Sequence, residues 1–199
     1  DASPSIICKF HFSSHSDAPY KSVAHNEDVE SSIQTRQPTG IIMNESSVLL
    51  PSECSIRPAS AQDIKSIRML VWSARLDPTQ LRWQQFWVIE CNGDLVACGQ
   101  LRNFAGAQEL GSLVVMKDWR DRGLGSYLAK HLIAQATQPL YLECLGKRLA
   151  SFYTRFGFTE VSVQELPQSL KFKFGLSQLG KTLFRIPVTI MKHQANFIE

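Results

Sequence analysis

The segment Val114-Val115-Met116-Lys117-Asp118-Trp119-Arg120-Asp121-Arg122-Gly123-Leu124-Gly125-Ser126 has the residue types needed to hold a polyanion. It sets two glycines and two arginines between a run of β-formers and a helical pattern. In that pattern Leu124, Leu128, Leu132, Ile133 and Ala136 fall on one face. A turn at such a junction exposes backbone N–H groups at the positive end of the helix dipole, which suits phosphate. Gly123 and Gly125 let the chain turn tightly and a bulky anion come close, while Arg120 and Arg122 add charge beside it. A dinucleotide fingerprint would need a glycine where Leu128 stands, and a nucleoside-triphosphate loop would need a lysine after Gly125, where Ser126 stands. Neither pattern fits. An anion-binding turn and a plain turn both remain open on local pattern.

Other chemistries find less support. The five cysteines, Cys8, Cys54, Cys91, Cys98 and Cys144, show no CxxC spacing and no pairing pattern, so free thiols in a reducing compartment are expected. Cys91, Cys98 and Cys144 fall in strand-like runs, and His131 and His193 stand at no spacing that would form a nucleophile–base dyad. No cluster of His, Cys, Asp and Glu has metal-ligand spacing, so no metal is expected.

The elements that must position the glycine loop can be read from period and punctuation. Ser55-Ile-Arg-Pro58 reads as a short strand, and Ser60 with Asp63 as an acidic capping box opening a helix over residues 61–75. After the Asp77-Pro78 break, Leu81 to Gln85 reads as a short helical turn. Phe86 to Cys91 and Leu95 to Leu101 read as strands joined at Asn92-Gly93-Asp94, a hairpin signal. A looser loop over residues 103–107 leads to a strand from Glu109 to Val115. After the loop and its helix come a strand over Leu140 to Leu145 and a helix over Lys147 to Arg155 that stops at Gly157. Val161-Ser-Val163 and Ile186 to Met191 are expected as closing strands. This order predicts an α/β domain with a mixed central sheet flanked by helices.

The chain of 199 residues is long enough for one such domain plus an appendage. Residues 1–42 differ from the rest: they hold His11, His15 and His25, many serines and no sustained period, so a flexible tail is expected there. The domain itself is expected over residues 55–199. A net charge of +3 with no long run of one sign gives no reason to expect nucleic acid. No apolar run approaches the length of a membrane span, and no secretory leader pattern is present at the start, so the cytoplasm or an organelle interior is expected.

Two motifs together resemble the GNAT family of N-acetyltransferases. Arg120-x-x-Gly123-x-Gly125 is similar to that family's pyrophosphate motif and sits between strand and helix as it does there. Ala150-Ser-Phe-Tyr153-Thr-Arg-Phe-Gly157-Phe158 is similar to its helix ending in Phe/Leu-Tyr-x-x-x-Gly-Phe. The resemblance covers roughly residues 55–165. It implies the GNAT fold, with a mostly antiparallel sheet, and acetyl-CoA as cosubstrate. Backbone at Val114 and Val115 would bind the pantetheine arm, and the amides of Arg122, Gly123, Leu124, Gly125 and Ser126 the diphosphate. Direct attack of an amine on the thioester is implied, with Tyr153 as the acid that protonates the departing thiolate. Glu109 or Glu143 would be the base, with Glu109 preferred. Two positions depart from the pattern: Gly146-Lys147-Arg148 replaces an asparagine-bearing stretch, and Lys117 stands where proline is common.

The acceptor pocket would draw on Trp72, Leu76, Trp83, Phe104 and residues 164–185. Glu165-Leu-Pro-Gln-Ser-Leu and Pro187-Val-Thr-Ile-Met191 are similar to amino-acid acetyltransferases of the N-acetylglutamate synthase kind, which implies a small amino-acid-like amine; protein amines stay open. A GNAT domain that binds acetyl-CoA or a protein partner without turnover is the alternative. Monomer and homodimer both remain open.

Overall fold

The computed structural model describes residues 50–76, 78, 80–175 and 188–194. The tail expected over residues 1–42 lies outside them. Among the described residues seven strands form one sheet in the order β1-β2-β3-β4-β5-β7-β6: β1 Cys54–Pro58, β2 Phe86–Cys91, β3 Asp94–Phe104, β4 Ala107–Val115, β5 Leu140–Leu145, β6 Phe158–Glu160 and β7 Val188–His193. All neighbours are antiparallel except β4 and β5. This is the mixed, mostly antiparallel sheet of the GNAT fold.

Alternation sorts the side chains of the sheet onto two faces. Helices α2 (Leu124–Gln135) and α3 (Lys147–Thr154) cover one face. There Leu124, Leu128, Leu132 and Tyr153 pack with Ile89, Leu110, Leu142 and Cys144. Helix α1 (Ile64–Ser73) places Ile67, Leu70 and Val71 on the other face, against Val88, Cys98 and Val114. Beside it Leu166, Leu170 and Phe174, the last two in a helical stretch over 168–175, pack on Ala107, Tyr141 and Ile190. At Gly99 a Cβ would lie 2.6 Å from Leu132 Cδ1, so the absence of a side chain lets α2 sit down on β3.

Several local expectations hold. Asn92 and Gly93 both take positive φ (53° and 87°), as a tight hairpin turn with twisted strands requires. Ser60 and Asp63 form the capping box, but they open a single turn of 3-10 helix, Ala61–Asp63, before α1 begins. Asp63 also takes Arg57 Nη1 and Nη2 at 2.8 and 3.0 Å, while Arg57 Nη2 reaches Glu90 at 2.7 Å. The Arg57 guanidinium holds the Asp63 carboxyl well below the ordinary carboxylate range and fastens β1 to the start of α1.

Three expectations are corrected. The loop expected over 103–107 is a two-residue turn, Ala105-Gly106, because β3 runs on to Phe104 and Gly106 supplies the positive φ (72°). Val161-Ser-Val163 is not a strand. The strand at that edge of the sheet is Phe158–Glu160, and Ser162 instead caps a 3-10 turn through Glu165. The expectation of free thiols fails for Cys54 and Cys91, which face each other across β1 and β2 and form a disulfide. Cys98 and Cys144 are free and buried.

That bridge closes a loop of 37 positions, for which the chain-entropy account gives about 3–4 kcal/mol. Urea unfolding with and without reductant should therefore differ by roughly 2–4 kcal/mol. An unchanged midpoint would mean that these two sulfurs are not joined in solution.

Candidate active site

Strands β4 and β5 pair only at Gln108↔Leu140 and Glu109↔Tyr141, although β4 continues to Val115 and β5 to Leu145. Beyond Glu109 the two strands part. The edge of β4 that faces β5 therefore carries backbone groups with no ladder partner among the described residues, while its other edge remains paired to β3 through Val114 and Val115. A wedge of this kind can admit an extended chain that hydrogen-bonds to β4 as an added strand.

The glycine loop closes the wide end of the wedge. Gly123 caps α2 at φ 80° with no side-chain hydrogen bond to the cap. The amides of the first turn, through Ser126, have no acceptor inside the helix and point out of its positive end. Gly125 lies beside Val115: a Cβ there would meet Val115 Cγ2 at 3.6 Å. Arg120 Nε donates to the Val115 carbonyl at 3.1 Å and ties the loop to the end of β4. The Arg122 guanidinium lies over the Trp119 ring, 4.7 Å from its centre. Val114, Val115 and residues 120–126 are thus brought together at one end of the sheet.

Tyr153 is buried, 6% exposed, in the same apolar cluster as Val115, Leu124, Leu142 and Cys144, which joins the two sides of the wedge. Its ring meets Phe152 and Phe158 edge-on at 5.0 and 5.7 Å.

Glu109 and Glu143 emerge on the opposite face of the sheet, that of α1. Glu109 is 4% exposed and both its oxygens are engaged: Arg102 Nη1 donates to Oε1 at 3.1 Å and Lys173 Nζ donates to Oε2. Burial pushes the Lys173 ammonium below the ordinary lysine range, against the pull of Glu109. Glu143, two residues beyond Tyr141 on β5, is half-buried. Arg102, Lys173 and Ser112 were not among the residues singled out from sequence. The available signal was an arginine directly after a strand-like run, and a lysine between Phe172 and Phe174.

Of the acceptor-pocket residues, Leu76 is core and Phe104 and Trp83 are half-buried, whereas Trp72 is 72% exposed. Burial pushes the Cys98 and Cys144 thiols up to about 12, where neither is a ready nucleophile at neutral pH. His131 packs on Trp87 and His193 on Phe158.

A sheet split beside a glycine-capped helix makes room for an extended ligand that carries an anionic group. Residues 82–160 match the family model of the acetyltransferase (GNAT) domain. An amino-acid acetyltransferase of Shewanella oneidensis is 33% identical over 132 residues, covering 64% of this chain and 28% of that protein. Among solved structures, N-acetylglutamate synthase from Neisseria gonorrhoeae complexed with coenzyme A and L-arginine is 25% identical, with a TM-score of 0.54 over 72% of this chain and 33% of that one. Rv2747 from Mycobacterium tuberculosis, in complex with CoA, shares the fold at 20% identity and a TM-score of 0.57, over 70% of this chain and 98% of that one. The fold of this chain is the GNAT fold, and residues 82–160 are the part that matches the GNAT acetyltransferase domain. The chain spans about a third of the length of the curated relatives it matches.

Proposed function

We propose that the domain transfers an acetyl group from acetyl-coenzyme A to the primary amine of an amino acid or amino-acid-like acceptor, by direct attack on the thioester. The observation that carries this is the parting of β4 from β5 just past Glu109, beside the cap of α2. The residues fit such a cosubstrate. The amides of Gly123 to Ser126, with Arg122 near, would hold the diphosphate, and the β4 edge at Val114 and Val115 would hold the pantetheine arm. Acetyl-coenzyme A supplies the activated acyl group; the chain positions it, polarises its carbonyl with a backbone N–H and moves two protons. Tyr153 would protonate the departing thiolate. Glu109 or Glu143 would take the proton from the amine. The amino-acid class of acceptor is supported by the relatives named amino-acid acetyltransferase, and a protein amine is the second acceptor class.

One observation favours the alternative of a binder without turnover: both oxygens of Glu109 are held by cations, which leaves less of it to accept a proton. Thermal-shift titration with acetyl-coenzyme A, then thiol release over L-glutamate, L-glutamine, L-aspartate and a peptide N-terminus, tests both readings. Stabilisation with thiol release supports the enzyme; stabilisation with none on any amine supports the binder. Glu109→Gln and Glu143→Gln, compared by pH–rate profile, assign the base: the variant that loses the acid limb of the profile marks it. Location in the cytoplasm or an organelle interior belongs to the same proposal, and the Cys54–Cys91 disulfide, a pairing that cytosolic thiol buffers disfavour, weighs against the cytoplasm. No helix among the described residues is long and apolar enough to cross a membrane.

A further inference from the structure

Between Cys98↔Val114 and Gln100↔Gly111, the single residue Gly99 of β3 faces two residues of β4, Ser112 and Leu113. This is a bulge. Ser112 takes φ 49°, in the left-handed region that a non-glycine residue enters only when its surroundings hold it there. Strict alternation would send its side chain to the α2 face with Leu110. Instead Ser112 Oγ accepts from Arg102 Nη2 at 2.9 Å, on the face of Glu109. Each nitrogen of the Arg102 guanidinium donates a hydrogen bond. Nε donates to Gln100 Oε1 at 2.9 Å and Nη1 to Glu109 Oε1 at 3.1 Å. Gln100 is fully buried and is itself oriented by donating to the Gln80 carbonyl at 3.0 Å and Gln85 Oε1 at 3.2 Å. At Gly111 a Cβ would lie 2.6 Å from Arg102 Nη1, so glycine there keeps the place in which the guanidinium sits.

We propose that Arg102 is a positioning residue: by clamping Glu109 and Ser112 on either side of Gly111, it locks the β4 bulge and fixes the direction of the β4 amides that face the wedge. This rests on the acyl-transfer reading, because those amides matter to a thioester lying along β4. The clamp sets geometry at the reacting carbonyl, where an error of about 1 Å costs roughly 100-fold in rate. Diphosphate binding depends on the separate helix cap.

The test uses Arg102→Gln, Arg102→Lys and Gly111→Ala in the full chain. Gly111→Ala leaves every charge in place and displaces the guanidinium by its one added methyl group. With acetyl-coenzyme A and the amine that gives the highest turnover, kcat should fall about 100-fold in Arg102→Gln and Gly111→Ala, with coenzyme A affinity within about threefold and the KM for the amine little changed. Amide hydrogen exchange over residues 110–115 should rise in both variants. Arg102→Lys should resemble Arg102→Gln, since an ammonium cannot span three acceptors as a guanidinium does. Unchanged exchange over 110–115, or a raised KM for the amine with kcat retained, overturns the proposal and makes Arg102 a ligand of the acceptor. If the wild-type chain binds coenzyme A but turns over no amine, the acyl-transfer reading fails, and the exchange measurement alone still decides whether Arg102 holds the bulge.

Discussion

Gly125→Glu is expected to weaken coenzyme A binding about 30- to 100-fold while leaving the free protein as stable as before, or more so. The two halves of that expectation come from one location. Gly125 is the second residue of α2, its φ is not positive, and an added Cβ meets only Val115 Cγ2 at an ordinary 3.6 Å. Glutamate is a better helix former than glycine by about 0.5–1 kcal/mol, and a carboxylate in the first turn is favoured by the dipole. A diphosphate seated on the same amides would meet that carboxylate at roughly 6 Å. At the effective dielectric of a protein surface, like charges at that range repel by about 2–3 kcal/mol, and each 1.4 kcal/mol is tenfold in affinity. Calorimetry with coenzyme A and a urea melt of the free protein read the two halves separately. Gly125→Ala, which adds the methyl group without the charge, should bind within about threefold of wild type. Undiminished affinity in Gly125→Glu would remove the α2 cap from the binding site.

How far the fold could be read depended on how local its determinants are. The hairpin at Asn92-Gly93 and the capping box at Ser60 and Asp63 are each decided by a few adjacent residues, and each formed where expected. The strand over Leu140 to Leu145 was found to the residue, since Pro139 and Gly146 punctuate it. The errors lie where distant contacts decide. β3 extends through Asn103 and Phe104 because β4 is there to pair with it, and Asn103, a poor strand former, hides the continuation. Phe158–Glu160 is a strand only because β7, from the far end of the chain, lies beside it. The cysteine pair was invisible for the same reason: 37 positions separate Cys54 from Cys91, and only the β1–β2 register brings them opposite each other.

The site divides along the same line. The glycine loop is one contiguous segment, so its composition reported its place between strand and helix. The polar cluster around Glu109 is assembled from β3, β4 and the 168–175 stretch, with Lys173 reaching Glu109 from 64 positions away. Period 2 placed Glu109 in a strand but not on a face. The bulge at Ser112 breaks that period, so alternation counted from Val115 back to Glu109 returns the wrong side. Arg102 therefore belongs with Glu109 for a reason that exists only once β3 and β4 are paired.

Tyr153→Phe should lower kcat by about 100-fold or more while changing coenzyme A affinity by less than about twofold, if the phenol is the acid that meets the departing thiolate. The substitution removes one oxygen and keeps the ring. Its edge-on contacts with Phe152 and Phe158, and its place among Val115, Leu124 and Leu142, should survive. Loss of a buried hydroxyl costs about 1 kcal/mol, a few degrees in melting temperature for a domain of this size. Tyr153→Leu supplies the contrast: it removes the ring as well and should lose several kcal/mol of stability to the cavity it leaves. A packing role predicts that activity follows stability across the pair, with phenylalanine nearly wild type and leucine poor. An acid role predicts that both fall alike in kcat although leucine is by far the more destabilised. Steady-state kinetics under saturating acetyl-coenzyme A, read beside a urea melt of each variant, separates the two, and a phenylalanine variant with wild-type kcat would end the assignment.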